Sequence, residues 1–260
     1  MSLENYLSKL VFSTKISHGL KSWISLIVNS KRYSSRFEKN KLDLKDNETF
    51  VYHLKVAGKK TDLYLRTFKG DIGVFYEVFW KKTYEEHLSL LKKEPEIIVD
   101  LGAHIGITSI YLSLKYPNAK IYAVEASAEN FKLLKVNTIS FKNIVCLNAA
   151  AYFEDGFVNF SNDEISYNQK ISEKGISTKA ISIETLKQNF GIPHIDLMKI
   201  DIEGGEIDLL SKQNSWLSSV DNIIIEIHHP YNSSNLGEDL KSFGFSIKRN
   251  EDSVLTLTKD

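Results

Sequence analysis

Polar residues gather at three places in this chain where an apolar run gives way to a turn. The first is Asp100-Leu101-Gly102-Ala103-His104-Ile105-Gly106, which closes the run "IIVDL". Gly102 permits a tight turn and close backbone approach to a ligand, and Gly106 permits close packing of helix and strand. Free N–H groups at the start of the following helix favour a carboxylate or other anion, and Asp100 can accept from a bound ammonium or a water beside it. The second place is Glu125, which ends "KIYAVE". An acid about 20 residues after such a turn can take both hydroxyls of a ribose. The third is "LMKIDIEGGE", residues 197–206. Strand alternation sets Lys199 and Asp201 on one side, with Glu203 just past the strand end and Glu206 near a helix N-terminus. Glu226 and His228 of "IIIEIHH" share a side of one more strand. Adjacent strand ends would bring Asp201, Glu203, Glu226 and His228 together.

A glycine turn followed by an acid on the second strand fits two nucleotide ligands, NAD and S-adenosylmethionine. The dinucleotide fingerprint is G-x-G-x-x-G, and here His104 stands where its second glycine belongs. A side chain there crowds a pyrophosphate. An acid just before the turn suits a ligand with an amino-acid end, so S-adenosylmethionine is the expected cofactor. An NAD-dependent oxidoreductase is the rival reading. A non-catalytic assembly module is the other, and intact Asp100, Glu125 and Asp201 speak against it. Ala149 and Ala150 are expected to line an apolar adenine slot, with Asn148 in reach of an exocyclic amine. The ordinary pKa of histidine makes His228 the candidate general base for an acceptor hydroxyl. Asp201 is the runner-up base, Glu203 orients the hydroxyl, and Lys199 completes the catalytic set. A core histidine satisfied by Glu226 is the structural alternative for His228. The spacing of Asp201, Glu203 and Glu226 is no metal signature, and no metal is expected.

These residues need a scaffold, and the hydrophobic pattern supplies one. From Pro95 onward, apolar runs "IIVDL", "KIYAVE", "NIVCLNA", "HIDLMKID" and "NIIIEIH" alternate with helical stretches at 105–115, 127–139, 204–213 and about 234–243. That is the βαβ rhythm of a doubly wound, mostly parallel sheet of Rossmann-like type. "FVNF" and "KAISIE" are short strands around a polar loop, Ser161 to Gly175, the expected acceptor region. "FSIKRN" and "SVLTLT" close the chain as a hairpin, so the last strand should lie antiparallel. With the five core runs, these two make a seven-stranded sheet, apart from the two short strands of the excursion. Upstream, "TFVYHLKV" and "TDLYLRT" alternate as a hairpin, while "DIGVFYEVF" and "TYEEHLSLLKK" read as helices. The aromatic "VFYEVFW" reads as core. The expected division is a basic helical extension at 1–45 and a catalytic domain at 46–260, its hairpin and helices at 46–94 and its Rossmann-like core at 95–260.

The 260 residues carry zero formal net charge, which argues against general nucleic-acid affinity. The balance hides an asymmetry. Residues 1–45 hold nine basic and three acidic side chains, and the rest hold 24 and 30. Apolar positions in 3–30 recur at helical spacing between lysines. Such a leader packs on the main domain, self-associates as in a homo-oligomer, or lies on an anionic membrane surface. A single cysteine, Cys146, reads as a small core residue and demands no oxidising compartment. The start shows no secretory signal, so the expected location is cytoplasmic, with membrane-peripheral attachment as the variant. His18, His53, His87, His194 and His229 read as surface or loop histidines.

"VDLGAHIG", "VEAS", "LNAAAY", "LMKIDIEGGE" and "IIEIH" resemble, in order and spacing, the FkbM-type methyltransferases. The likeness covers roughly residues 50–230. It implies the class I methyltransferase fold, S-adenosylmethionine as cofactor, and O-methylation of a small-molecule or glycan hydroxyl. "LRTFKGDIGVFYEVF" and the following Thr83-Tyr84 are similar to the family's upstream element. On that resemblance alone, Arg66, Asp71 and Tyr84 frame the cofactor. Two positions depart from the family pattern: His104 stands for asparagine and Ala126, after the acid, for proline.

Overall fold

The computed structural model describes residues 3–38, 48–56, 58–160, 175–251 and 253–259. Two compact units divide the chain. One holds Met1–Thr83, the other Tyr84–Asp163 and Asn168–Asp260.

In the first unit, helices α1 (Leu3–Ile16) and α2 (Leu20–Glu38) precede a hairpin of β1 (Thr49–Val56) and β2 (Lys59–Arg66). Alternation along the hairpin buries Tyr52, Leu54, Leu63 and Leu65, against which α1 and α2 set Ile16 and Leu26. Helix α3 (Asp71–Tyr76) runs into a π-helical turn, Glu77–Lys81. Phe75, Tyr76, Val78 and Phe79 are buried, so the aromatic run contributes core, as its composition predicts.

The second unit is built on a seven-stranded sheet. Its strands are β3 (Ile97–Leu101), β4 (Lys120–Glu125), β5 (Ile144–Asn148), β9 (Ile195–Ile200), β10 (Val220–Glu226), β11 (Phe245–Glu251) and β12 (Val254–Lys259). Their order is β11-β12-β10-β9-β3-β4-β5. Neighbours from β10 to β5 are parallel, and β12 lies antiparallel between β10 and β11. The doubly wound, mostly parallel layout with a reversed last strand is therefore as expected. Every residue of β9 is buried, which explains its unbroken apolar run apart from Asp196 and Lys199. Burying one such aliphatic side chain stabilises the fold by about 1.5–3 kcal/mol. Helices α5 (Ile107–Lys115), α6 (Ala128–Thr138), α7 (Ile183–Phe190), α8 (Glu206–Ser211) and α9 (Ser233–Lys241) connect the strands. Ser127, Ser182 and Asn232 cap α6, α7 and α9. The excursion after β5 forms a three-stranded sheet of β6 (Ala150–Ala151), β8 (Ile176–Ile181) and β7 (Gly156–Phe160). Residues 161–174 of the expected acceptor loop lie outside the described residues.

Two expectations need correction. "TYEEHLSLLKK" is not a continuous helix: α4 spans only Glu85–Leu88, because Leu90 is exposed and no second turn finds a buried apolar face. His87 is not a surface histidine. It is buried, and its Nδ1 bonds Thr256 Oγ1 at 2.7 Å. Burial, with Arg249 nearby, holds its pKa below the ordinary value.

Candidate active site

The parallel order reverses direction between β3 and β9, so the carboxyl ends of these strands and their neighbours are where a ligand of such a sheet sits. The turn after β3 is tied to β4: Gly102 N and Ala103 N both donate to Val124 O. Gly102 has φ 76°, and a Cβ there would lie 1.7 Å from the Asp201 carbonyl oxygen. The close approach anticipated for Gly102 is thus to the backbone after β9. Gly106, at φ 91°, makes room for Leu134 and Thr138 of α6, so the packing it allows is helix on helix. His104 also adopts the left-handed region, at φ 52°.

Glu125 closes this turn from the second strand. Its Oε2 accepts from His104 N at 2.8 Å and its Oε1 from Ser127 N at 2.8 Å, with Asn130 Nδ2 at 3.4 Å. Burial pushes the carboxyl up to about 7 against the lowering effect of those donors. Asn148, expected within reach of an exocyclic amine, donates through Nδ2 to the carbonyls of Glu125 and Ala126. Ala149 and Ala150 are both buried, and Ala149 N donates to Glu125 O.

Asp100 faces inward. Ser109 Oγ donates to its Oδ2 at 2.6 Å, and its Oδ1 meets Lys199 Nζ at 3.2 Å as an ion pair without hydrogen-bond geometry. Lys199 also donates to Gly102 O at 3.0 Å and pairs with Asp201 Oδ2 at 3.3 Å. Burial alone would lower the Lys199 pKa, but Asp100 and Asp201 more than reverse this and hold the ammonium above its usual range. Lys199 is therefore a fixed charge joining β9 to the β3 turn. Tyr84 is buried in the same field. Burial raises its hydroxyl pKa, and the charges of Lys199, Asp201, Glu226 and Asp100 act on it.

The ends of β9 and β10 bring Asp201, Glu203 and His228 together, each offering one atom within 4.8 Å of the others. His228 Nε2 lies 3.3 Å from Glu203 Oε2, and its Nδ1 lies 2.8 Å from Glu206 Oε1. The partners of His228 are thus Glu203 and Glu206, not the Glu226 expected for a core histidine. Glu226 accepts from Ser253 Oγ at 2.9 Å. Glu203 sits at φ 53°, a left-handed conformation that costs an ordinary residue about 1–3 kcal/mol and is often found at functional sites. Burial, and the repulsion of Asp201, Glu226 and Glu206, push Glu203 up to about 7 despite His228. Burial and Asp201 raise Glu226 too. For His228, burial lowers the pKa, but Glu206, Glu203 and Asp201 outweigh it and bring it to about 9. At neutral pH the imidazole carries its proton. The premise that His228 is a base through an ordinary pKa is therefore corrected.

Arg66 and Asp71 belong to the first unit and bind one another. Asp71 Oδ2 accepts from Arg66 N at 2.8 Å and Nε at 2.9 Å, and Oδ1 from Nη2 at 2.9 Å. Sequence reasoning missed two partners. Ser109 faces Asp100 from the first turn of α5. Glu206 is fully buried, with Oε2 lacking a hydrogen-bond partner. The signal for Glu206 was present, because an acid inside a "EGGE" turn beside a histidine-bearing strand end invites a pairing.

Residues 100–247 match the family model for the methyltransferase FkbM domain. Hexuronic acid methyltransferase AglP of Haloferax volcanii is 29% identical over 140 residues, 52% of this chain and 57% of AglP. Methyltransferase sdnD of Sordaria araneosa is 26% identical over 197 residues, 60% of this chain and 74% of that protein. The solved structure of methyltransferase FkbM from Methylobacillus flagellatus aligns with a TM-score of 0.46 at 11% identity, covering 98% of this chain and 59% of that one. The chain spans little more than half the length of AglP. With the family model covering more than half of the sequence, and the glycine turn, the second-strand acid and the "KIDIEGGE" end all inside it, the chain belongs to the FkbM-domain methyltransferase family.

Proposed function

We propose that the second unit binds S-adenosylmethionine at the carboxyl ends of β3 and β4 and methylates a hydroxyl of a sugar or glycan. One observation carries this reading, the charge balance at the strand ends. Five carboxyl groups, Asp100, Asp201, Glu203, Glu206 and Glu226, are set against Lys199 and His228, and even with Glu203 and Glu226 partly protonated the negative charges outnumber the positive. The surplus attracts a cationic sulfonium and opposes the two phosphates of NAD. The anchors suit the cofactor as well. Glu125 Oε2 accepts one backbone N–H and keeps a second lone pair for a ribose hydroxyl, while Oε1 takes Ser127 N and Asn130 Nδ2. Asp100 Oδ1 is a buried acceptor without a hydrogen bond.

When bound, the cofactor supplies a methyl group already activated toward displacement. The chain's own residues then align the acceptor and remove its proton. Alignment alone can contribute about 7–11 kcal/mol. The proton released as the hydroxyl is methylated passes to Glu203, whose pKa of about 7 matches a general base working near neutrality. His228 stays protonated and holds the Glu203 carboxylate, and Glu206 holds His228. Asp201 and Lys199 act as an ion pair that fixes the floor of the site.

The sugar acceptor is supported by the likeness to AglP, whose name gives a hexuronic acid as its substrate. We place the reaction in the cytoplasm, in keeping with a chain whose one cysteine needs no oxidising compartment. Calorimetric titration tests the cofactor: S-adenosylhomocysteine should bind and NAD should not, and the reverse would end the proposal. Methyl transfer to glycan extracts, read by mass spectrometry, then identifies the acceptor.

A further inference from the structure

Helix α2 is apolar on the side where a surface helix should be polar. Its inward side carries Ser22, Leu26 and Asn29, all buried. The two polar ones are bonded within the first unit. Ser22 Oγ accepts from His53 N at 3.0 Å, and Asn29 Nδ2 donates to Tyr52 Oη at 2.8 Å. On the opposite side, Leu20, Ile24 and Val28 recur every fourth residue, so they form one stripe. They are 68%, 46% and 49% exposed. A helix serving only its own fold would show the reverse arrangement. Helix α1 repeats the pattern on a smaller scale: Leu7 and Val11, one turn apart, are each 53% exposed. Lys21 and Lys31, both exposed, border the α2 stripe, and residues 1–45 are strongly basic.

We infer that the outer face of α2 docks on an anionic lipid bilayer, with the helix lying in the plane of the surface. Leu20, Ile24 and Val28 enter the boundary between headgroups and acyl chains, while Lys21 and Lys31 extend to the phosphates. Charge selects this occupant over a second copy of the chain. A two-fold contact through the stripe would set each copy's lysines against the same lysines of the other. An anionic leaflet offers the opposite sign along the whole face. No helix among the described residues is long and apolar enough to cross a membrane, and the attachment inferred is to the surface alone.

The test uses the full chain and co-sedimentation with vesicles. Vesicles of phosphatidylglycerol and phosphatidylcholine should bind it, and pure phosphatidylcholine should bind it about tenfold more weakly or less. Raising the salt should release the protein from the mixed vesicles. The pair Ile24→Asp and Val28→Asp should weaken binding about a hundredfold. The pair Lys21→Glu and Lys31→Glu should weaken it about tenfold and flatten the salt dependence. All four positions are exposed, so the circular dichroism and S-adenosylhomocysteine affinity of both variants should match the parent. Three results would overturn the inference: no binding to the mixed vesicles, binding unaltered by the aspartates, or a dimer in light scattering that those aspartates dissociate.

Discussion

The two sides of the strand-end site treat their carboxylates in opposite ways. On the β3–β4 side, Glu125 is held by two backbone N–H groups and Asp100 by a serine hydroxyl and Lys199. Their oxygens organise a turn. On the β9–β10 side, Glu203, Glu206 and Asp201 crowd around a single imidazole with Glu226 nearby, and one oxygen of Glu206 has no hydrogen-bond partner. Buried like charges without enough donors are costly, and the pKa values of Glu203 and Glu226 are raised as a result. The first side is built to hold a shape. The second, on the proposed reading, takes up and releases a proton; Glu125 is also pushed up to about 7, but its oxygens are committed to the turn's donors. Substitutions on the two sides should therefore fail in different ways.

The largest effect is expected on the proton-handling side. Glu203→Gln should lower kcat by about 10²–10⁴ while leaving S-adenosylhomocysteine affinity intact, because it removes the base and keeps the shape. Calorimetry and initial rates on one preparation separate the two quantities. The same assignment fixes the pH dependence. Glu203 has its pKa raised to about 7, so its ionised, proton-accepting form predominates above that pH and is lost below it. Turnover should fall about tenfold per unit as pH drops beneath that value, and this limb should vanish in Glu203→Gln. A limb that persists in the variant moves the base elsewhere.

On the shape-holding side, Gly102→Ala should act through stability. The new Cβ would collide with the Asp201 carbonyl, and φ 76° is unfavourable for alanine. A loss of about 3 kcal/mol is expected, visible as a lowered Tm. Glu125→Ala should follow. It leaves the N–H groups of His104 and Ser127 without their acceptor, and cofactor binding should weaken by about 1–3 kcal/mol. Unchanged affinity for S-adenosylhomocysteine would remove Glu125 from the ribose contact.

The same contrast explains what the sequence could reveal. The sheet was legible because each strand is an apolar run of a few residues between turn signals, and a βαβ rhythm admits few layouts. Lys199 beside Asp201 was legible because alternation on one strand is a local rule. The pairing of His228 with Glu206 was not. It depends on how the chain turns back through Gly204 and a left-handed Glu203 before α8 begins. The His228 pKa was less accessible still, since it sums burial against three carboxylates of the 201–206 turn, which meets the His228 strand end only in the folded sheet. His87 was misjudged for a related reason: its partner, Thr256, lies on a strand 169 residues away. Local geometry is written in local sequence. Electrostatic balance belongs to the assembled strand ends.

The smallest expected effect sharpens the comparison most. His104 stands where the resemblance leads one to expect asparagine, and its φ of 52° lies where asparagine and histidine are both tolerated better than most residues. Its backbone N–H, which any residue supplies, makes the bond to Glu125. His104→Asn should therefore keep stability within about 0.5 kcal/mol and cofactor affinity within about twofold. His104→Val, forced into the same conformation by the turn, should cost about 1–2 kcal/mol. Thermal melts and calorimetry on the two variants check the pair. A large loss of affinity in His104→Asn with its Tm preserved would mean that the imidazole itself touches the ligand. The shape-holding side would then also select what it binds, and the division of labour argued from Glu125 and Glu203 would have to be redrawn.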